Sequence, residues 1–397
     1  MASYVLLIFD CPDAPKDTLC RNVYIGKFDT EQVFIYDCDV SVHGTVHERK
    51  DYQLVNRDTV TINDVADRAG VSRQTVSRVI NNRPDVAEET RVRVQQVIEE
   101  LDYHPNAIAQ SLSRQKSYII GIVTAGLKYI GPSRTLNGIA SKAEDLGYGL
   151  LVKELDRFDD SNFDSLLSWF QSHAVDGIIW AAPEIGSNRK EIARILPDLD
   201  LPILFLTMEK RDDLAIVTID NFFGARIATS HLVLQRRKNI GHISGPLDWW
   251  EARQRKFGWE SALAEANLSC SDRMWTEGNW SSKSGKTAFL ELLEKFPQMD
   301  GLFVGNDQMA LAVLSEAVRL GIQVPEDLAV VGFDGIEESE FFYPPLSTIS
   351  QDQFKLGGLA VEELLRLMNQ GSQAPSAAPK YIAVRPELVV RKSSQGG

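Results

Sequence analysis

Apolar residues in Thr61–Asn81, TINDVADRAGVSRQTVSRVIN, recur at helical spacing in two short blocks. Ile62, Val65, Ala66 and Ala69 fall at i, i+3, i+4 and i+7, so a first helix has one apolar face. Thr61 is placed to cap its start, with Asp64 three residues on as in a capping box. Gly70 supplies the backbone freedom that a helix stop needs. Ser72 caps a second helix whose inward side is Val76, Val79 and Ile80. Arg73, Gln74, Ser77 and Arg78 are left on the outer face, the first two in its first turn. After the turn NNRPDV, the spacing predicts a third helix over Ala87–Leu101, with Val94, Val97, Ile98 and Leu101 closing a three-helix core. Ala87 is not a residue that caps well. In His104–Arg114, HPNAIAQSLSR, Pro105 allows a fresh helix start, and small residues surround one protruding Leu112.

From Tyr118 the pattern changes to apolar runs alternating with amphipathic helices. The runs include YIIGIVT, GLLVKEL, GIIWAA, PILFL, AIVTI, NIGHISG, DGLFVGND and LAVVGFD; the helices include SRTLNGIASKAEDLGY, RKEIARILPDL and ARQRKFGWESALAEAN. Such alternation predicts parallel strands with crossover helices, and its length predicts two sheets in tandem. The chain then offers a helix, LGGLAVEELLRLM, a Gly/Ser/Pro-rich loop at Gly371–Pro379 and one closing strand, IAVRPELVVR. Met1–Asp58 has alternating patches (YVLLIF, NVYIG, QVFIYDCDVSV) without a visible link to the helices after it. It reads as a small β-rich module, a disordered arm, or sequence upstream of a mis-chosen start. The last two are favoured, because the unit that begins near Thr59 is complete without it.

The exposed residues of the second helix suit base reading. A recognition helix enters the major groove with its N-terminal residues at the base edges. Arg pairs with guanine and Gln with adenine through two parallel hydrogen bonds. The bland alternative is a surface helical hairpin with solvated arginines. The net charge of −13 over 397 residues looks wrong for a DNA binder, so its distribution matters. Thr59–Lys116 holds eight basic and eight acidic residues, and the rest carries the whole deficit. A local contact surface on an acidic body is compatible with DNA, with modest non-specific affinity.

The 44% apolar and 24% charged content is ordinary for a globular protein of two or three domains. No window reaches the ~18 apolar residues of a membrane span. The apolar run Tyr4–Phe9 is too short for a signal peptide, which points to the cytoplasm. Cys11, Cys20, Cys38 and Cys270, even with His43 and His47, lack the close-paired spacing of a zinc site, so no metal or cofactor is expected. Gly285-Lys286-Thr287 suggests a P-loop, but the position that needs a Gly holds Trp280. No H-E-x-x-H or G-x-S-x-G occurs, so catalysis is not expected.

Taken together, TINDVADRAGVSRQTVSRVIN, YHPNAIAQSL, GHISGP, GNWSSKSG, VGNDQMALAVL, VPEDLAVVGFD and YPPLSTISQD resemble the lac repressor and purine repressor family of bacterial transcription regulators, from about Val60 to Lys392. The fold class implied is α/β: a helix-turn-helix headpiece at 59–104, a hinge helix at 105–116, and at 117–397 a two-lobed core, like the periplasmic sugar-binding proteins, of two parallel α/β sheets. The extension 1–58 has no family counterpart. The resemblance implies a homodimer that binds a palindromic operator, with DNA affinity controlled by a small carbohydrate effector between the lobes. It places DNA contacts on Thr61, Ser72, Arg73, Gln74, Thr75, Ser77, Arg78 and Asn81. A minor-groove wedge falls on Leu112, beside Asn106 and Ala109. It places the effector on Arg253, Asp334, Asn306, Trp280, Phe354 and Glu184. The bland alternatives are that Asp307 caps a helix, that Asp334 is a turn residue before Gly335, and that Trp280 is core. TAGLKYIGPSR lacks the Asp-x-x-Asn-Pro phrase of many members, and no heptad tail follows Lys392, so a dimer is expected. The rival readings are an exported or cytoplasmic sugar-binding protein without a regulatory role, and a DNA-binding protein without a ligand.

Overall fold

In a computed structural model of the chain, the described residues are 3–10, 21–28, 60–81, 83–103, 116–155, 163–183, 185, 201–370 and 380–395. The chain divides into two compact units, residues 1–104 and 105–397. In the first, strands β1 (Ser3–Asp10) and β2 (Arg21–Phe28) pair antiparallel, from Ser3 opposite Phe28 to Asp10 opposite Arg21. These strands are the described part of the 1–58 extension.

The same unit holds helices α1 (Ile62–Ala69), α2 (Arg73–Ile80) and α3 (Glu88–Glu100). The Asp64 carboxylate accepts both the Thr61 N–H and the Thr61 hydroxyl at 2.7 Å. Gly70 ends α1 at φ +67°, a left-handed conformation that a Cβ disfavours. Ser72 Oγ accepts the Thr75 N–H at 3.1 Å, while Ala87 gives α3 no side-chain cap. The core is Val65, Ala66, Ala69, Val76, Val79, Val94, Val97 and Tyr103, with Ile98 and Leu101 at its margin. A core of such small side chains is marginal, so each cap, at about 1 kcal/mol, is a sizeable share of its stability.

The second unit has two lobes. Lobe 1 contains β3 (Ile119–Ala125), α4 (Ile130–Asp145), β4 (Gly149–Leu155), α5 (Phe163–Ser172), β5 (Gly177–Ala181), β6 (Ile203–Leu206) and β7 (Ala215–Ile219). Lobe 2 contains α6 (Asn221–Leu234), β8 (Ile240–Ser244), α7 (Trp250–Glu265), β9 (Trp275–Glu277), α8 (Ser282–Lys295), β10 (Gly301–Val304), α9 (Asp307–Leu320), β11 (Ala329–Asp334) and β12 (Ser347–Ser350). The chain then returns to lobe 1 as α10 (Gln353–Gln370) and β13 (Tyr381–Val384), and ends in lobe 2 with β14 (Glu387–Val389). Among the described residues each lobe has a six-stranded sheet, ordered β13-β7-β6-β5-β3-β4 and β14-β12-β11-β10-β8-β9. All neighbours are parallel except β12 and β14. Central strands such as β7 and β8 are buried along their whole length, as a sheet covered on both faces requires.

Two expectations from the apolar pattern change here, and one is not reached. The closing strand is two strands, because Arg385–Pro386 breaks it and sends its halves to different sheets. The short β9 and β12, of three and four residues, escape the periodicity reading. The helix expected over RKEIARILPDL lies outside the described residues.

Two close contacts fix this architecture. Helices α4 and α10 touch backbone to backbone: a Cβ on Gly138 would come within 2.1 Å of the Phe354 carbonyl oxygen, and one on Gly357 within 2.3 Å of that of Thr135. In lobe 2, buried Asp307 accepts the Thr348 hydroxyl at 2.6 Å and the Ile336 N–H at 3.0 Å, which ties α9 to β12 and to the end of β11. Burial and the nearby Asp334 carboxylate push its pKa from 3.8 up to about 7. The native state therefore binds more protons than the unfolded chain between those pH values, and this group's contribution to stability falls as pH rises through the window. We expect the melting temperature of Asp307→Asn, relative to wild type, to shift in the variant's favour between pH 5 and pH 8. A pH-independent difference in calorimetric melts would contradict this.

Candidate functional site

Two surfaces carry chemistry, one in each unit. In the headpiece, Arg73 and Gln74 are exposed on the first turn of α2 and make no hydrogen bond or ion pair among the described residues. The other expected contacts hold the headpiece together. Thr61 and Ser72 are the caps, and Thr75 Oγ1 lies 2.9 Å from Ser72 Oγ. Ser77 receives the Asn81 side-chain amide on its carbonyl at 2.8 Å, which closes the end of α2. Arg78 reaches Asp85 at 3.6 Å, and both side chains are about half exposed. Asn106, Ala109 and Leu112 lie outside the described residues.

In the second unit both parallel sheets aim the carboxyl ends of their strands at one cleft, where ligands of such sheets bind. A cavity of about 120 Å³ lies there. Its lobe 1 wall is largely apolar, with Ile122, Ile130, Pro132, Leu136, Leu206 and Ile219. Its lobe 2 wall is polar and aromatic, with Asn221, Trp249, Glu251, Arg255, Trp280 and Asp334. Gln351 and Gln353 line it from the crossover into α10.

Arg255 is buried at the centre of the polar wall. Its Nε donates to Asn221 Oδ1 at 2.8 Å, and its Nη1 donates to the Gly305 carbonyl and faces Asp334 Oδ1 at 3.5 Å. The guanidinium carbon stacks 3.8 Å from the Phe333 ring centre and 5.3 Å from that of Trp280. Nη2 makes no hydrogen bond among the described residues, so one arm of the fork remains for a ligand. Asp334 sits at φ +119°, a strained conformation for a residue with a Cβ, and accepts from Gln351 Nε2 at 2.6 Å. Burial raises its pKa to about 6, opposed by Arg255. Trp280 is also left-handed, at φ +71°, and its ring covers Gly245, where a Cβ would come within 2.1 Å of it. Its Nε1 is enclosed and has no partner among the described residues.

The cavity brings together three of the expected effector contacts: Asp334, Asn306 and Trp280. Asn306 is already engaged, because it, and not Asp307, is the N-cap of α9. Its Oδ1 accepts the Met309 N–H at 2.9 Å, and its Nδ2 donates to the Trp280 carbonyl at 3.0 Å. Arg253 does not line the cavity; its Nη1 donates to the carbonyls of Leu247 and Asp248. On α7, residue 253 points about 200° away from 251, whereas 255 returns to the same face, so Arg255 is the cavity arginine. Phe354 is 55% exposed, and its neighbour Gln353 takes the place in the lining. Glu184 lies outside the described residues. Arg255, Glu251 and Asn221 were missed; the i, i+4 spacing of Glu251 and Arg255 was the available signal.

Comparison with known proteins agrees with both units. Residues 61–106 match the model for bacterial regulatory proteins of the lacI family, and residues 229–394 match the periplasmic binding protein-like domain. The lactose operon repressor of Escherichia coli (strain K12) is 34% identical over 309 residues, 78% of this chain and 84% of its own length. The ribose operon repressor of the same organism is 31% identical, over 84% of this chain and 99% of its length. Among solved structures, the lac repressor dimer bound to operator and the anti-inducer ONPF has a TM-score of 0.76 at 32% identity, covering 85% of this chain and 99% of that one. The transcriptional regulator CelR in complex with cellobiose has a TM-score of 0.63 at 26% identity, covering 84% and 100%. The chain belongs to the LacI family of bacterial regulatory proteins.

Proposed function

We propose that this protein is a transcriptional repressor that binds a palindromic operator as a homodimer and changes its grip when a small carbohydrate enters the cleft. One observation carries the reading: the same chain holds a helix-turn-helix with Arg73 and Gln74 exposed, and a cleft whose two walls belong to different lobes. The headpiece supplies base reading, and residues 105–116 serve as the hinge, with Leu112 as the minor-groove wedge beside Asn106 and Ala109. Asp334, Asn306 and Trp280 face the effector together with Arg255, whose fork suits two hydroxyls of a polyol. A ligand between the lobes biases DNA affinity only by its different affinity for the two lobe arrangements. The reading involves no catalytic step. It is supported by relatives named as operon repressors and by solved structures holding operator, ONPF or cellobiose. Such a protein works beside the chromosome in the cytoplasm; no helix among the described residues is long and apolar enough to cross a membrane.

Footprinting on genomic fragments, repeated with a panel of sugars, tests the proposal as a whole; the absence of any palindromic footprint under every condition would refute it. Exchanging Arg73 and Gln74 should change which operator is preferred, at about 1–3 kcal/mol per altered base contact, instead of lowering affinity evenly. Selection from a randomised half-site library measures this. Arg255→Lys removes the fork and should abolish the tryptophan fluorescence response to sugar while operator binding persists. Arg253→Ala should keep both. Loss of both activities in Arg255→Lys would mark Arg255 as structural.

A further inference from the structure

The cavity leaves three enclosed polar atoms without a partner among the described residues: Trp280 Nε1, Gln353 Oε1 and Glu251 Oε2. Trp280 and Gln353 are 8% and 6% exposed, and both line the cavity. Buried polar atoms of this kind are normally satisfied, and an unpaired one is costly. Two are acceptors on different elements, the first turn of α7 and the start of α10, and one is a donor. A molecule that completes the set brings at least two donors and one acceptor.

Charge narrows the class further. Arg255 is the cation among the described lining residues, and it already faces Asp334. Glu251 is a second carboxylate on the same wall; burial pushes its pKa up, opposed by Arg255 and by the Thr207 hydroxyl, and the lining is net negative when both acids are ionised. The lobe 1 side chain that hydrogen-bonds to Glu251 is Thr207, held at φ +52°, which brings a hydroxyl and no charge. A carboxylate or phosphate on the ligand meets repulsion in a low-dielectric site, where it is costly. Hydroxyl groups meet acceptors.

We propose that Glu251 is a specificity-determining residue that admits uncharged polyhydroxylated ligands and rejects sugar acids and sugar phosphates, with Gln353 accepting a second ligand hydroxyl. This rests on the carbohydrate reading above and adds a charge filter to it.

The test uses the full chain and three neutral–anionic pairs: lactose and lactobionate, cellobiose and cellobionate, ribose and ribose 5-phosphate. Thermal shift and calorimetric titration are run at pH 7.5. At least one neutral member should raise the wild-type melting temperature while its anionic partner does not. Glu251→Gln should bind that neutral sugar about tenfold more weakly, the effect of losing one charge-assisted hydrogen bond, and should now bind the anion. Gln353→Leu should weaken neutral binding without admitting the anion. Equal binding of both members by wild type, or unchanged discrimination in Glu251→Gln, overturns the role of Glu251 and leaves the carbohydrate reading standing. No response of wild type to any pair overturns the carbohydrate reading itself. If Glu251→Gln does not fold, the wild-type comparison within each pair still decides.

Discussion

A single buried cation organises the effector-facing half of this molecule. Arg255 reaches from α7 to Asn221 at the first crossover between lobes, to the carbonyl after β10 and to the carboxylate that ends β11. A guanidinium taken out of water is expensive unless its donors are paired, and removing one partner of such a set leaves an uncompensated charge. Stacking on Phe333 further limits how the fork turns. The arrangement ties Asp334, in a backbone conformation rare for a residue with a Cβ, to the carboxyl ends of the parallel lobe 2 strands at the cleft.

The two walls of that cleft differ in character. Lobe 1 presents apolar side chains from β3, β6 and α4, whereas lobe 2 presents the polar groups. A ring with hydroxyls on its edge and carbon on its face matches both walls at once, which underlies the carbohydrate proposal. The headpiece works on the opposite principle: Thr61, Asp64, Ser72 and Asn81 close its own turns, and the exposed pair at the start of α2 is left for a partner.

Fold was more legible than site. The headpiece follows from local signals, because Thr61, Gly70 and Ser72 act within a few residues of where they stand. Strand–helix alternation revealed two sheets because buried parallel strands are continuous apolar runs. The division of IAVRPELVVR between sheets was hidden, since a strand's partner is a long-range choice that its own residues do not encode. In the site, sequence resemblance located the phrase EARQRKFGW but not the helix face, and the choice of Arg253 over Arg255 was a phase error of two residues. Phe354 failed in the same way by one residue, where the crossover turns Gln353 inward instead. Polar lining residues such as Gln351 and Asn221 left no trace, because lone amides are common on any surface.

The interleaving of the two lobes has a consequence for biosynthesis. Lobe 1 lacks an edge strand until Tyr381–Val384 is translated, and lobe 2 lacks one until Glu387–Val389 is added. Ser393 then stitches β11 to the start of β12 through Val330 and Ser347. While the ribosome is making residues 351–380, both lobes therefore wait with an open sheet edge, the kind of surface that invites unwanted strand pairing. A premature stop shortly before Tyr381 would cripple both lobes together, instead of sparing the one made first.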